Sequence, residues 1–403
     1  MSKKKNGFSR RDFLKTAGAA TAGSFLNARE TLAKISGTSG SELTVVPTRP
    51  FGKTGVQVSV LSLGGMFDIP SNQLVLRQAL KWGVTYWDTA DCYEGGRSER
   101  GIGSFFSKYP EARNKVFLVS KSDSRDPQGM TRLLDRSLER MKTDYIDLYF
   151  VHGISSINEL NNGTRAWAQK AKAEGKIKFF GFSSHSNMEE CLLEAAKLGW
   201  IDGIMMTYNY RLMHKTEMKE AVAACKEAGI GLTAMKTQGG WSFGSSSAAK
   251  LVDTFIERGF TDAQAKLKAV WTNPHIASIC SQMPNITILM SNVAAAMDKT
   301  NLSAGDLRLL VQYAKETAAN YCAGCSNICE KALGGAVPVA TVMRYLMYYE
   351  SYGDRYRARS LYGQLTPEVR ARIESLDYSL AERRCPQGMA IGRLMKRAGQ
   401  LLV

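Results

Sequence analysis

From Val58 onward the chain alternates short, uniformly apolar runs with longer segments of helical spacing, and this alternation restricts the fold more than any other feature. Eight runs have strand character: VSVLSLGG, YWDTA, VFLVSK, IDLYFVHG, IKFFGFS, GIMMTYN, IGLTAMK and ITILMS. A strand that is apolar throughout is buried on both faces and belongs to a parallel sheet covered by helices. The intervening segments supply those helices. Met130, Leu133, Leu134, Leu138 and Met141 share one helical face, as do Met188, Cys191, Leu192 and Ala195, with Gly199 as a stop. An open doubly wound sheet would need a G-x-G-x-x-G loop after an early strand, and SLGGMF lacks that spacing. The expected fold is α/β, a (β/α)8 TIM barrel over residues 49–304.

Residues 305–403 read differently. A helix around AGDLRLLVQYAKETAANY precedes CAGCSNIC, and a second helix lines up Val339, Val342, Met343, Leu346 and Met347. This part is expected to be a small, mostly helical domain that carries cysteines.

The 53 basic and 37 acidic residues leave a net charge of +16. Such a charge attracts polyanions. Here the basic residues are scattered, without interleaved aromatics, so a nucleic-acid partner is not expected. An anionic cofactor or substrate is the milder use of the same charge.

The first residues contain Ser9-Arg10-Arg11-Asp12-Phe13-Leu14-Lys15, followed by a modestly apolar Ala/Gly-rich stretch. The string resembles a twin-arginine export signal, an address read by the export machinery and not an anchor. Residues 1–34 are assigned to it and residues 35–48 to a linker. The chain is expected outside the cytoplasm, periplasmic or membrane-associated. No other apolar run reaches the roughly 18 residues that span a bilayer.

In such a barrel the C-terminal strand ends face the active site. The second strand ends at Asp88, with Tyr93 five residues on; the third ends at Lys121 and the fourth at His152. An acid, a phenol, an ammonium and an imidazole suit proton transfer to a carbonyl. A free phenol titrates at about 10, and a neighbouring ammonium lowers that value by favouring the phenolate.

These motifs resemble the aldo-keto reductase family. RPFGKTGVQVSVLSLGGM is similar to its opening hairpin and first strand, WDTADCYEGGRSERGIG to its Asp–Tyr motif, and VFLVSKS and DLYFVHG to its Lys and His motifs. AEGKIKFFGFSSHS is similar to its fifth-strand signature. The resemblance implies Tyr93 as general acid, Lys121 and Asp88 as its tuners, and His152 as the group that orients a small carbonyl or alcohol substrate. It also implies NADP or NAD, held by Ser183, Ser184, Tyr208, Met235, Lys236 and Asn301. Several of these positions depart from the family pattern. Ser184 replaces an Asn, Met205 a Gln and Met235 an aromatic, and LMSNVAAAMDKTN is short and lacks an Arg for a 2′-phosphate.

Among the eight cysteines, Cys191, Cys225 and Cys280 read as core, and Cys92 as packing beside Tyr93. Cys322, Cys325, Cys329 and Cys385 concentrate in one module at a spacing that suits a metal or an iron–sulfur cluster. The stretch is similar to the ferredoxin-like tail of some aldo-keto reductases, which implies a 4Fe-4S cluster on those four and a redox partner. Zinc, disulfides formed after export, and an empty module are the alternatives. The rival to the enzyme is a diverged barrel that acts as an exported electron-transfer or binding protein.

Overall fold

The structure is a computed structural model that describes residues 45–238 and 246–403. The export signal and most of the linker lie outside the described residues.

A two-stranded antiparallel hairpin, β1 (Thr48–Pro50) and β2 (Gln57–Ser59), leads into the barrel. The barrel strands are β3 (Leu61–Gly64), β4 (Tyr86–Asp88), β5 (Phe117–Ser122), β6 (Ile146–Ile154), β7 (Ile177–Ser184), β8 (Gly203–Thr207), β9 (Gly231–Met235) and β10 (Ile276–Gln282). They close in sequence order, with β10 pairing in parallel with both β9 and β3. The expected (β/α)8 barrel is therefore the fold.

One strand differs from the expectation. ITILMS is not the eighth strand but the start of a helix, Ile286–Met297, and the strand is the preceding IASICSQ. The β-branched run misleads because its neighbour decides the matter. Asn285 caps the helix, its side chain accepting from the Ile288 amide at 3.0 Å, and an alanine-rich stretch carries the turn onward. The other expected helices sit where their spacing puts them. Met188, Cys191, Leu192 and Ala195 are all buried on the helix Met188–Leu198, which stops at Gly199 with φ 72°.

Two layers of core result. One lies between strands and helices; a smaller one fills the barrel, where Phe51 packs with Tyr86, Phe117 and Val119. Phe51 enters from below the barrel, after β1. Its ring lies 2.5 Å from where a side chain on Gly231 would begin, so only glycine fits that position.

Beyond the barrel the chain is helical. The elements that concern the site are Ala304–Glu316, Ser326–Ala332, Val339–Glu350, Arg355–Gly363 and Ser379–Arg384. Val339, Val342, Met343, Leu346 and Met347 enter a separate core there. This helical part docks on the C-terminal face of the barrel. The Asn187 amide donates to the Gly324 carbonyl at 2.8 Å, and the Asn327 amide donates to Asn187 Oδ1 at 3.0 Å. Asn209 Nδ2 donates to Tyr321 Oη at 3.0 Å.

Candidate active site

The ends of β4, β5 and β6 bring Asp88, Lys121 and His152 to one rim, and the turn after β4 adds Tyr93. That turn is built for the purpose. Glu94, Gly95 and Gly96 all have positive φ, and Gly96 faces the Arg140 guanidinium, which lies 2.4 Å from where a Cβ would stand. Lys121 Nζ donates to Asp88 Oδ1 at 2.6 Å, to the Thr89 carbonyl at 2.7 Å and to Tyr93 Oη at 3.3 Å. Asp88 and Lys121 are almost fully buried. Cys280, expected in the core, borders this site: its Sγ lies 3.6 Å from Asp88 Oδ2.

His152 meets Tyr93 edge to face, with ring centroids 5.8 Å apart. Its Nδ1 lies 2.8 Å from Asp123 Oδ1. Burial acts to raise the Asp123 carboxyl, but the bond and charge of His152 carry it well below the usual range. Asp123 is therefore an acceptor, and His152 Nδ1 carries the proton. Burial depresses His152, with Asp123 opposing, so the neutral ring presents a lone pair at Nε2.

The phenol behaves differently from the expectation. Burial and the Asp88 charge push Tyr93 well above its ordinary value, because Lys121 is matched to Asp88 at close range. The cation that opposes this shift is Arg357, whose guanidinium carbon lies 5.2 Å from the centre of the Tyr93 ring. Arg357 Nε is buried without a hydrogen-bond partner. It comes from the C-terminal helix Arg355–Gly363, far from Tyr93 in sequence, and neither periodicity nor motif points to it.

The profile of the Aldo/keto reductase family matches residues 61–278. The chain belongs to the aldo/keto reductase family. It is 27% identical over 234 residues to an aldo-keto reductase of Fusarium vanettenii, a match covering 47% of this chain and 63% of that protein. An aldo-keto reductase of Schizosaccharomyces pombe whose name carries NADP(+) is 29% identical over 204 residues, covering 46% of this chain and 59% of the relative. The chain thus spans about three fifths of the length of these two relatives. The holo form of aldo-keto reductase AKR11C1 from Bacillus halodurans shares the fold with a TM-score of 0.56 at 22% identity, covering 67% of this chain and 96% of that one. Residues 7–26 match the twin-arginine translocation signal, so this reductase-family protein is exported from the cytoplasm. No helix among the described residues is long and apolar enough to cross a membrane.

The positions expected to hold a nicotinamide nucleotide fit that group poorly. Ser183 Oγ accepts from the Gly153 amide at 2.9 Å, and Ser184 Oγ donates to the Ser186 carbonyl at 2.7 Å. Tyr208 is buried in the outer core, its hydroxyl accepting from Asn273 Nδ2 at 2.9 Å in the turn before β10. Met235 packs into the barrel interior, and Asn301 is exposed. Only Lys236 faces an opening. That opening is closed above by Tyr321–Gly324 and the helix Val339–Glu350, leaving a cavity of about 30 Å³. A dinucleotide does not fit while this segment is in place.

The four clustered cysteines fit their expected group better. Cys322, Cys325, Cys329 and Cys385 are free and line one small cavity, together with apolar groups such as Ile328, Val339, Met343 and Ile391. Cys191 and Cys225 are buried in the barrel's outer core, and Cys92 Sγ lies 3.8 Å from His152 Nδ1.

Proposed function

We propose that the chain is an exported carbonyl/alcohol oxidoreductase in which Tyr93 is the general acid. The observation that carries this reading is the single ammonium that touches both Asp88 and Tyr93 Oη. When a carbonyl oxygen gains electrons beside Tyr93, the phenolic O–H bond breaks and a new O–H bond forms on the substrate. Lys121 then faces the phenolate, and Asp88 holds Lys121 in place. In the reverse direction His152 Nε2 accepts a hydrogen bond from the alcohol. Membership of the family and the NADP(+) in a relative's name support NADPH or NADH as the reductant, which would supply a hydride to the carbonyl carbon when bound. The covered rim opposes it, because the cavity left beneath Tyr321–Gly324 and the helix Val339–Glu350 is too small for a dinucleotide.

In the proposed domain division, residues 1–34 direct export, 35–48 link, 49–304 form the reductase barrel and 305–403 form the cysteine module. The thiols Cys322, Cys325, Cys329 and Cys385 would hold a [4Fe–4S] cluster, which supplies one-electron redox chemistry when bound. The covered rim favours a second reading, a diverged barrel that serves as a periplasmic or membrane-associated electron-transfer or binding protein with a redox partner.

Titration of the purified protein with NADPH and NADH, followed by nucleotide fluorescence and turnover of an aldehyde panel, separates the two. Binding with turnover supports the enzyme. Folded protein that neither binds nor turns over leaves the second reading.

A further inference from the structure

The cavity between the barrel and the C-terminal helices has a chemical character of its own. Its lining includes His185 after β7, Thr207 at the end of β8, Lys236 after β9, and Arg344 from the helix Val339–Glu350. None of its lining residues is acidic. Among the described residues, neither Lys236 nor Arg344 has a carboxylate partner, although many other surface and buried cations of the chain do. Thr207 is 4% exposed, and its Oγ1 has no hydrogen-bond partner; the same holds for His185 Nδ1. Lys236, whose amine burial and the Arg344 charge hold well below its ordinary value, therefore shares one small space with Arg344, the Cys322 thiol and two buried polar atoms that lack hydrogen-bond partners. Buried groups in that condition cost free energy unless a ligand or water satisfies them.

We infer that this cavity binds the carboxylate of an anionic carbonyl substrate, an oxo acid, and that Arg344 of the C-terminal module supplies one of its two positive contacts. Lys236, protonated when an anion binds beside it, supplies the second, and Thr207 Oγ1 and His185 Nδ1 donate to the same oxygens. The position connects it to the chemistry. His185 approaches Gly153, next to His152, with its Cδ2 4.0 Å from where a Gly153 Cβ would stand. The Arg344 charge is felt at His152 and His185 alike. The assignment of substrate class rests on the reading of Tyr93 and His152 as the reacting pair; the anion site itself does not.

Isothermal calorimetry on the full chain tests it, with pyruvate, its neutral methyl ester, inorganic phosphate and ADP-ribose as probes. Relative to wild type, pyruvate is expected to bind at least tenfold more weakly to Arg344→Met, Lys236→Met and Thr207→Val. Thr207→Val removes only a hydroxyl and guards against loss of fold. Methyl pyruvate is expected to show no such dependence. Equal pyruvate affinity in wild type and all three variants, or no binding of pyruvate to folded wild type, overturns the site. ADP-ribose or phosphate binding more tightly than pyruvate, and lost in the same variants, assigns the cations to phosphate and overturns the carboxylate. Pyruvate that binds as expected but is not turned over with NADPH, in protein that turns over aldehydes, leaves the anion site standing and overturns the oxo-acid substrate.

Discussion

Tyr93 is held between opposing influences, and its titration decides what the site does at a given pH. Burial and Asp88 raise the phenol above its ordinary value of 10.0, so it is protonated throughout the neutral range. As far as this group is concerned, carbonyl reduction is expected to be level from pH 6 to pH 9. The reverse reaction needs the phenolate and is expected to rise about tenfold per pH unit over that range. Replacing Arg357 with Met removes the cation that opposes the shift. The alcohol-oxidation profile of Arg357→Met is therefore expected to move to higher pH, with Arg357→Lys restoring part of it. A pH–rate comparison of the three proteins checks this, and coincident profiles contradict it. Lys121→Met strands a buried carboxylate and is expected to cost about 3–5 kcal/mol of stability, read from urea unfolding. The groups at strand ends were legible in the sequence because barrel topology says where strand ends go. Asp123 and Arg357 were not, since one lies just past a strand end in a turn and the other in a separate domain.

At the scale of elements, the uniformly apolar strands announced a parallel barrel, and most runs fell on their strands. The eighth did not, because an apolar β-branched run and a buried helix start look alike until the Asn285 cap is seen. Periodicity also marked the helix Val339–Glu350 without revealing that one side of it closes the barrel mouth. That closure depends on a backbone segment at Gly324. Its φ is +82°, and a Cβ there would stand 2.4 Å from the His185 carbonyl. Gly324→Ala is expected to lower stability by about 1–3 kcal/mol and to loosen the segment. If the covered rim limits nucleotide access, NADPH affinity is also expected to increase in this variant, measured by fluorescence. Unchanged stability and affinity would contradict the closure.

Over the whole molecule, a twin-arginine signal, a reductase barrel and a cysteine module occur in one chain. Twin-arginine export carries folded proteins, which suits a group inserted before export. Protein purified anaerobically is expected to absorb in the visible and to contain iron, and Cys385→Ser is expected to lose most of both; a colourless, iron-free wild type would contradict the cluster. The barrel and its module were both foreseeable from sequence. Their docking was not, because it rests on side-chain and backbone contacts between residues more than a hundred positions apart, such as Asn209 with Tyr321. In the proposed chemistry Tyr93, backed by Lys121, gives the proton to a carbonyl oxygen. The aldehyde turnover rate of Tyr93→Phe beside wild type, both shown to be folded, reads this donation. A fall of about 10²-fold or more is predicted, and a Tyr93→Phe rate equal to wild type would contradict the account.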